Sequence, residues 1–190
     1  GKVFTFHDDA PSIDAGKIAA AAAVAVVDET HLGTDASFNI ADVFKDGFYD
    51  YGADGAGTVS YGLSLLDGNG QANDVGSGLY ADGGGGAQGA QIMLHQVSGG
   101  VIEGVIGNDV YFTITVANGK VTLDQVKAIW HSDPHNADEP ASLQLAGGSL
   151  QLVATVTDAD GDHAQPGVDL GNGKVFTFHD DAPSIDAGKI

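Results

Sequence analysis

The string GKVFTFHDDAPSIDAGKI runs from Gly1 to Ile18 and returns without a change from Gly173 to Ile190, an offset of 172 residues. Identity at a long fixed spacing is the mark of a repeat architecture, in which each period is one structural unit. KVFTF alternates Val3 and Thr5 with Phe4 and Phe6 as a strand does, and the HDDAPS after it carries turn residues and a proline that stops the strand. The string therefore reads as a junction between modules. It divides the chain into the end of a preceding repeat and its linker (1–12), one repeat (13–179), and a linker with the start of the next repeat (180–190). The parent protein is expected to be long and repetitive.

One repeat of this length suits one domain, and 43% hydrophobic residues are enough for a single core. The 29 glycines, with abundant Ala, Asp, Thr and Val, favour short strands joined by turns. Val59 to Leu66 alternates like a half-buried strand. Gln91 to Val97, Val101 to Val105 and Asp109 to Val116 are three further strands, and Asn118-Gly119 marks a tight hairpin. Leu143 to Leu145, Leu150 to Val156, Val168 to Leu170 and the second KVFTF complete the set. Ile18 to Val27 is read as a strand despite its alanines, Ile40 to Phe44 as a helical turn beneath Phe38 and Phe48, and Leu79 to Gly89 as a glycine-rich turn. In Thr122 to Trp130, Leu123, Val126, Ile129 and Trp130 fall at helical spacing, which predicts one short helix. The sum is an all-β sandwich with one or two short helices.

A formal net charge of −19 comes from 26 acids against seven bases, with no Arg; Glu29, Glu103 and Glu139 are the only glutamates, so nearly all the acids are Asp. Such a surface repels nucleic acid and anionic lipid, which need clustered Lys and Arg, and it points to divalent cations as partners. No membrane insertion is expected, since no apolar run reaches membrane-spanning length. The lack of Cys excludes disulfides and thiolate ligation and is compatible with bacterial export.

Two acidic knots carry the strongest chemical signal: HisAspAsp at 7 to 9, repeated at 179 to 181, and AspAlaAspGlyAsp at 158 to 162. Asp alternating with Gly in a turn gathers hard oxygen ligands on one side of a bend, which suits the six to eight oxygens of Ca²⁺. If Leu150 to Val156 runs up the sandwich and Ala164 to Phe178 runs back, Asp158, Asp160 and Asp162 cap the end where the chain enters, beside Asp8 and Asp9. Asp180 and Asp181 then lie at the exit, within reach of Glu29. Two other clusters read as polar surface. AspGlyAsnGlyGln at 67 to 71 has oxygens at positions 1, 3 and 5 of a calcium loop but no Glu at position 12. His131, Asp133, His135, Asp138 and Glu139 could offer imidazoles and carboxylates to zinc, yet Pro134 interrupts them and no third His stands at a motif spacing. No nucleophile elbow and no phosphate loop is present, and no enzyme activity is expected.

The chain resembles the large tandem repeats of type I-secreted RTX adhesins of Gram-negative bacteria. The resemblance rests on VVDET at 26–30, SGLY at 77–80, GGVIEG at 99–104, VTLDQVKAIWH at 121–131, VTDADGD at 156–162 and FTFHDDAPSI at 176–185, and it covers most of one period. It implies an immunoglobulin-like β-sandwich, secreted to the bacterial cell surface as a monomeric module of a long fibre. Adjacent repeats of the same chain would be its partners, and Ca²⁺ would stiffen the junctions so that a distal adhesive domain is projected for adhesion and biofilm formation. Asp8, Asp9, Asp158, Asp160 and Asp162 match the calcium junction, as do Asp180 and Asp181 in the second copy; Glu29 enters by analogy with cadherin junctions. The GGxGxDxUx array of the RTX name is absent, so no parallel β-roll is expected. The competing reading is a carbohydrate- or ice-binding module on the same sandwich, although Phe48, Tyr49, Tyr51, Tyr61 and Tyr80 form no regular platform in the sequence.

Overall fold

The computed structural model describes residues 9–133, 135–136 and 138–181; the expected first strand, Lys2 to Phe6, and the expected ligand Asp8 lie outside them. In chain order the elements are β1 (Ser12–Ile13), β2 (Ala25–Asp28), β3 (Ala36–Asn39), α1 (Ile40–Val43), β4 (Tyr49–Asp50), β5 (Thr58–Leu65), β6 (Val75–Asp82), β7 (Gln88–Ser98), β8 (Val101–Ile106), β9 (Asp109–Ala117), β10 (Lys120–Gln125), β11 (Pro140–Gln144), β12 (Leu150–Thr157), β13 (His163–Ala164), β14 (Gly167–Asp169) and β15 (Asn172–His179). The protein is an all-β sandwich. Six strands in the order β3-β10-β9-β8-β7-β6 make one sheet, β11-β15-β2 a second, and β12, flanked by β5, β13 and β14, a third, while β1 and β4 form a small two-stranded sheet.

Period-two burial builds the core. Along β12, Leu150, Leu152, Ala154 and Val156 are fully buried and alternate with half-exposed residues, and Leu63 and Leu65 of β5 face the same interior. β15 locks the sheets together: Phe178 packs on Phe112 of β9 with ring centroids 5.0 Å apart, and Phe176 lies 6.4 Å from Phe38 of β3. The second KVFTF is thus a central strand, hydrogen-bonded antiparallel to β11 on one side and parallel to β2 on the other.

Asn118 (φ 51°) and Gly119 (φ 74°) form the two-residue turn expected between β9 and β10, with both central residues left-handed as a type I′ turn requires. The helical turn at Ile40–Val43 is also present. The helix expected over Thr122 to Trp130 is not: Lys120–Gln125 is a strand paired on both sides, to β3 and β9. Val121, Leu123 and Gln125 are buried at period two, whereas Val126, part of the supposed helical face, is 47% exposed. Two ladders of backbone hydrogen bonds and a buried face outweigh a weak local propensity. Two other expectations need correction. Ile18 to Val27 does not form one strand; Ile18 makes an isolated bridge to Phe44, Ala20–Ala22 winds into a 3₁₀ turn, and the strand itself starts at Ala25. Strand β6 occupies much of the expected turn at Leu79 to Gly89, leaving the bend to Gly84, Gly85 and Gly86, all at positive φ.

Candidate metal centres

At one end of the sandwich, β12 runs out at Thr157 and Asp158 begins a tight turn. The Asp158 N–H donates to the Asp162 carbonyl (3.0 Å), and Asp158 Oδ1 accepts the N–H groups of Gly161 (3.0 Å) and Asp162 (2.9 Å). These bonds fix the Asp158 carboxylate, which is 4% exposed, with its other oxygen, Oδ2, buried and unpartnered among the described residues. A second loop crosses it. Gly57 passes so close that a Cβ there would lie 1.9 Å from the Thr157 carbonyl oxygen, so only glycine permits the approach. That loop delivers Asp54, and ligand atoms of Asp54, Asp158 and Asp160 lie within 4.8 Å of one another. The incoming linker is tied to the same loop: Ala53 N–H donates to Asp9 Oδ2 (2.9 Å), and Asp9 N–H donates to Asp54 Oδ2 (3.3 Å).

Asp158 and Asp160 therefore stand with Asp54, and the linker attaches beside them through Asp9, whose carboxylate binds Ala53 N–H and is not itself part of the group. The Asp162 carboxylate does not join the cluster; its backbone closes the turn instead. Asp54 was missed, because a single Asp among glycines 104 residues from Asp158 has no spacing signal. No cation of the protein neutralises this group: among the described residues, none of the ion pairs involves Asp9, Asp54, Asp158 or Asp160. Converging carboxylates with one buried oxygen lacking a donor are a fit for an all-oxygen cation such as Ca²⁺.

At the opposite functional end, the parallel pairing of β15 with β2 sets His179 against Asp28, so the next residues along, Asp180 and Glu29, emerge side by side. Glu29 Oε1 accepts Gln125 Nε2–H (2.7 Å) and Ile129 N–H (2.8 Å), and lies 3.4 Å from His131 Nε2. The Glu29 and His131 side chains are each only 4% exposed. Ligand atoms of Glu29, His131 and Asp180 form a second group within 4.8 Å. Burial pulls the His131 pKa down, but the hydrogen bond and charge of Glu29, with the charges of Asp180 and Glu139, outweigh it and leave that pKa raised. Asp181 is exposed and donates its N–H to Asp180 Oδ1 (2.8 Å) without joining the group.

The loop around His131 is braced by Glu139, whose carboxylate accepts Ser132 Oγ–H (2.6 Å) and Asp133 N–H (2.7 Å); those bonds lower its pKa. His131 separates from His135, which is exposed and outside both clusters. The loop at 67 to 74 is closed on itself. Asp67 accepts the N–H groups of Asn69 and Gln71 on one oxygen and Asn73 Nδ2–H on the other, so its carboxylate is consumed by the turn. Aromatic residues gather elsewhere: Phe44, Phe48, Tyr49 and Tyr61 line a cleft of about 420 Å³. Tyr49 packs edge-on to both Phe48 and Tyr51.

Residues 24–171 match the family described as a domain of unknown function, DUF5801, and the chain belongs to that family. No curated protein and no solved structure matches the chain significantly.

Proposed function

We propose that this protein is an extender module of a giant bacterial surface adhesin, in which Ca²⁺ stiffens the junctions between tandem repeats. The observation that carries this reading is the buried, unpartnered Oδ2 of Asp158, held beside Asp54 and Asp160 at the point where the linker residue Asp9 docks. A cation there would tie the linker to the sandwich through shared carboxylates and remove freedom from the hinge.

The repeated string supplies the second half of a junction. By sequence identity Asp180 corresponds to Asp8 and Asp181 to Asp9. Asp180 meets Glu29 and His131 of its own module, while Asp9 meets the 53–54 loop of the module that follows it. Two consecutive linker aspartates would thus face two different modules, a short connection suited to a stiff rod. The acidic surface, the absence of Arg and the resemblance to RTX adhesin repeats support the same role at the cell surface.

Calorimetric titration with calcium tests it. The expected result is micromolar to millimolar binding that is lost in Asp158→Asn and Asp160→Asn; absence of binding would reduce the module to an acidic spacer. The aromatic cleft favours a second reading, saccharide binding, through the stacking faces of Tyr49 and Tyr61. A glycan array on the calcium-loaded protein separates the two, since a spacer retains no sugar.

A further inference from the structure

Glu29, His131 and Asp180 differ in chemistry from the carboxylates around Asp158. One of the three donors is an imidazole, and Ca²⁺ takes oxygen ligands, whereas imidazole with carboxylate suits Zn²⁺ and its neighbours among the divalent transition metals. The 3.4 Å hydrogen bond between His131 Nε2 and Glu29 Oε1 is a long one. It is close to the ligand-to-ligand edge, about 3.3 Å, of a tetrahedron whose metal bonds are about 2.05 Å long.

Glu29 is also held as a metal ligand is held. Its Oε1 is oriented by the Gln125 side chain and the Ile129 backbone, the kind of outer hydrogen bonds that aim a ligand. Among the described residues, two of the three buried polar side-chain atoms without a partner, Gln125 Oε1 and His131 Nδ1, belong to side chains that touch Glu29, and Gln125 is not one of the three cluster residues. Gln125 is 1% exposed, so its oxygen is withdrawn from bulk solvent. A buried imidazole, two carboxylates and an orphaned amide oxygen in one place are poorly explained as core packing.

We propose that this end of the module binds a divalent transition cation of the Zn²⁺ class through His131, Glu29 and Asp180, separately from the Ca²⁺ site around Asp158. All three ligands belong to this one chain, two from the repeat and Asp180 from the linker that leaves it, so the site itself needs no neighbouring repeat; only its part in joining modules rests on the tandem reading. The fourth position is left to water or to a donor from a following repeat. Each linker would then be gripped by different cations on its two sides, and calcium and zinc could stiffen it independently.

The experiment is titration of the intact chain with Zn²⁺ in excess calcium, with Co²⁺ as a spectroscopic substitute. The expected result is one tight equivalent of Zn²⁺ and the intense visible absorption of four-coordinate Co²⁺. His131→Gln and Asp180→Asn should each weaken binding by at least about tenfold, the scale on which single changes around a metal act. Asp158→Asn should leave Zn²⁺ binding intact while abolishing that of Ca²⁺. Asp180→Asn lies on the linker, so it remains informative if His131→Gln disturbs the fold. No Zn²⁺ binding by the unaltered protein overturns the proposal. So does affinity unchanged in both variants, which would assign the metal to other histidines, or loss of Zn²⁺ in Asp158→Asn, which would make it a competitor at the calcium site. None of these outcomes bears on whether calcium binds, which the same titrations read separately.

Discussion

Replacing Asp158 by Asn should change stability in opposite directions with and without calcium. Without metal, the substitution keeps Oδ1, which accepts the Gly161 and Asp162 N–H groups, and exchanges the orphaned Oδ2 for an NH₂ that can donate. It also removes one negative charge from a group whose ligand atoms lie within 4.8 Å of one another. The metal-free variant should therefore be as stable as the unaltered protein or more so, because an unpartnered buried group costs about 1–3 kcal/mol. With calcium at 100 times its dissociation constant, the unaltered protein gains about 2.7 kcal/mol by linkage. A variant that no longer binds gains nothing, and the difference of about 2.7 kcal/mol corresponds to a melting-temperature deficit of roughly 5–11 °C in a domain of this size. Differential scanning calorimetry of both proteins in calcium and in chelator reads the crossing. An equal deficit in the two conditions would refute the reasoning, since Asp158 would then be a turn residue and nothing more.

Three further outcomes follow from the same geometry. Gly57→Ala places a methyl against the backbone of Thr157 and Asp158, so denaturant unfolding in chelator should show a loss of about 1–3 kcal/mol or more, and a calcium titration should show weaker binding as Asp54 is pushed from Asp158. Asp124 and Asp35 extend the β10–β3 ladder one step past Leu123 and Ala36, and burial together with the Asp35 charge raises the Asp124 pKa; Asp124→Asn should stabilise by about 0.2–1 kcal/mol in thermal melts. Hydrogen bonds from Thr30, Asn73 and Ser132 lower the pKa values of Asp28, Asp67 and Glu139 respectively. Their contribution is present above the unfolded values and lost as pH falls through the folded ones, so metal-free stability followed by circular dichroism should drop below about pH 4.

What could be read from the sequence was what a short window encodes. Leu150 to Val156 alternates because one face of β12 is core, and Asn118-Gly119 declares its turn because few other pairs tolerate two left-handed residues. The AspAlaAspGlyAsp turn was legible for the same reason. The stretch from Thr122 to Trp130 misled because apolar residues from a strand end and the loop after it happened to fall at helical spacing, and only the pairing of β10 with both β3 and β9 decides the matter. Poly-alanine at 19–23 carries little pattern of either kind. The two candidate sites show the limit most clearly. Asp54 and Asp158 are joined by a glycine-permitted crossing of two loops, and Glu29, His131 and Asp180 by a parallel strand pair that sequence spacing cannot reveal.

Small-angle X-ray scattering from a protein carrying several of these repeats in tandem, in calcium and then in chelator, bears most directly on the stiffened-extender account. The account predicts a rod whose maximum dimension in calcium grows in proportion to the number of repeats and falls on chelation, as the junctions at Asp9 and Asp180 loosen while each sandwich stays folded. A maximum dimension unchanged by chelator would contradict it.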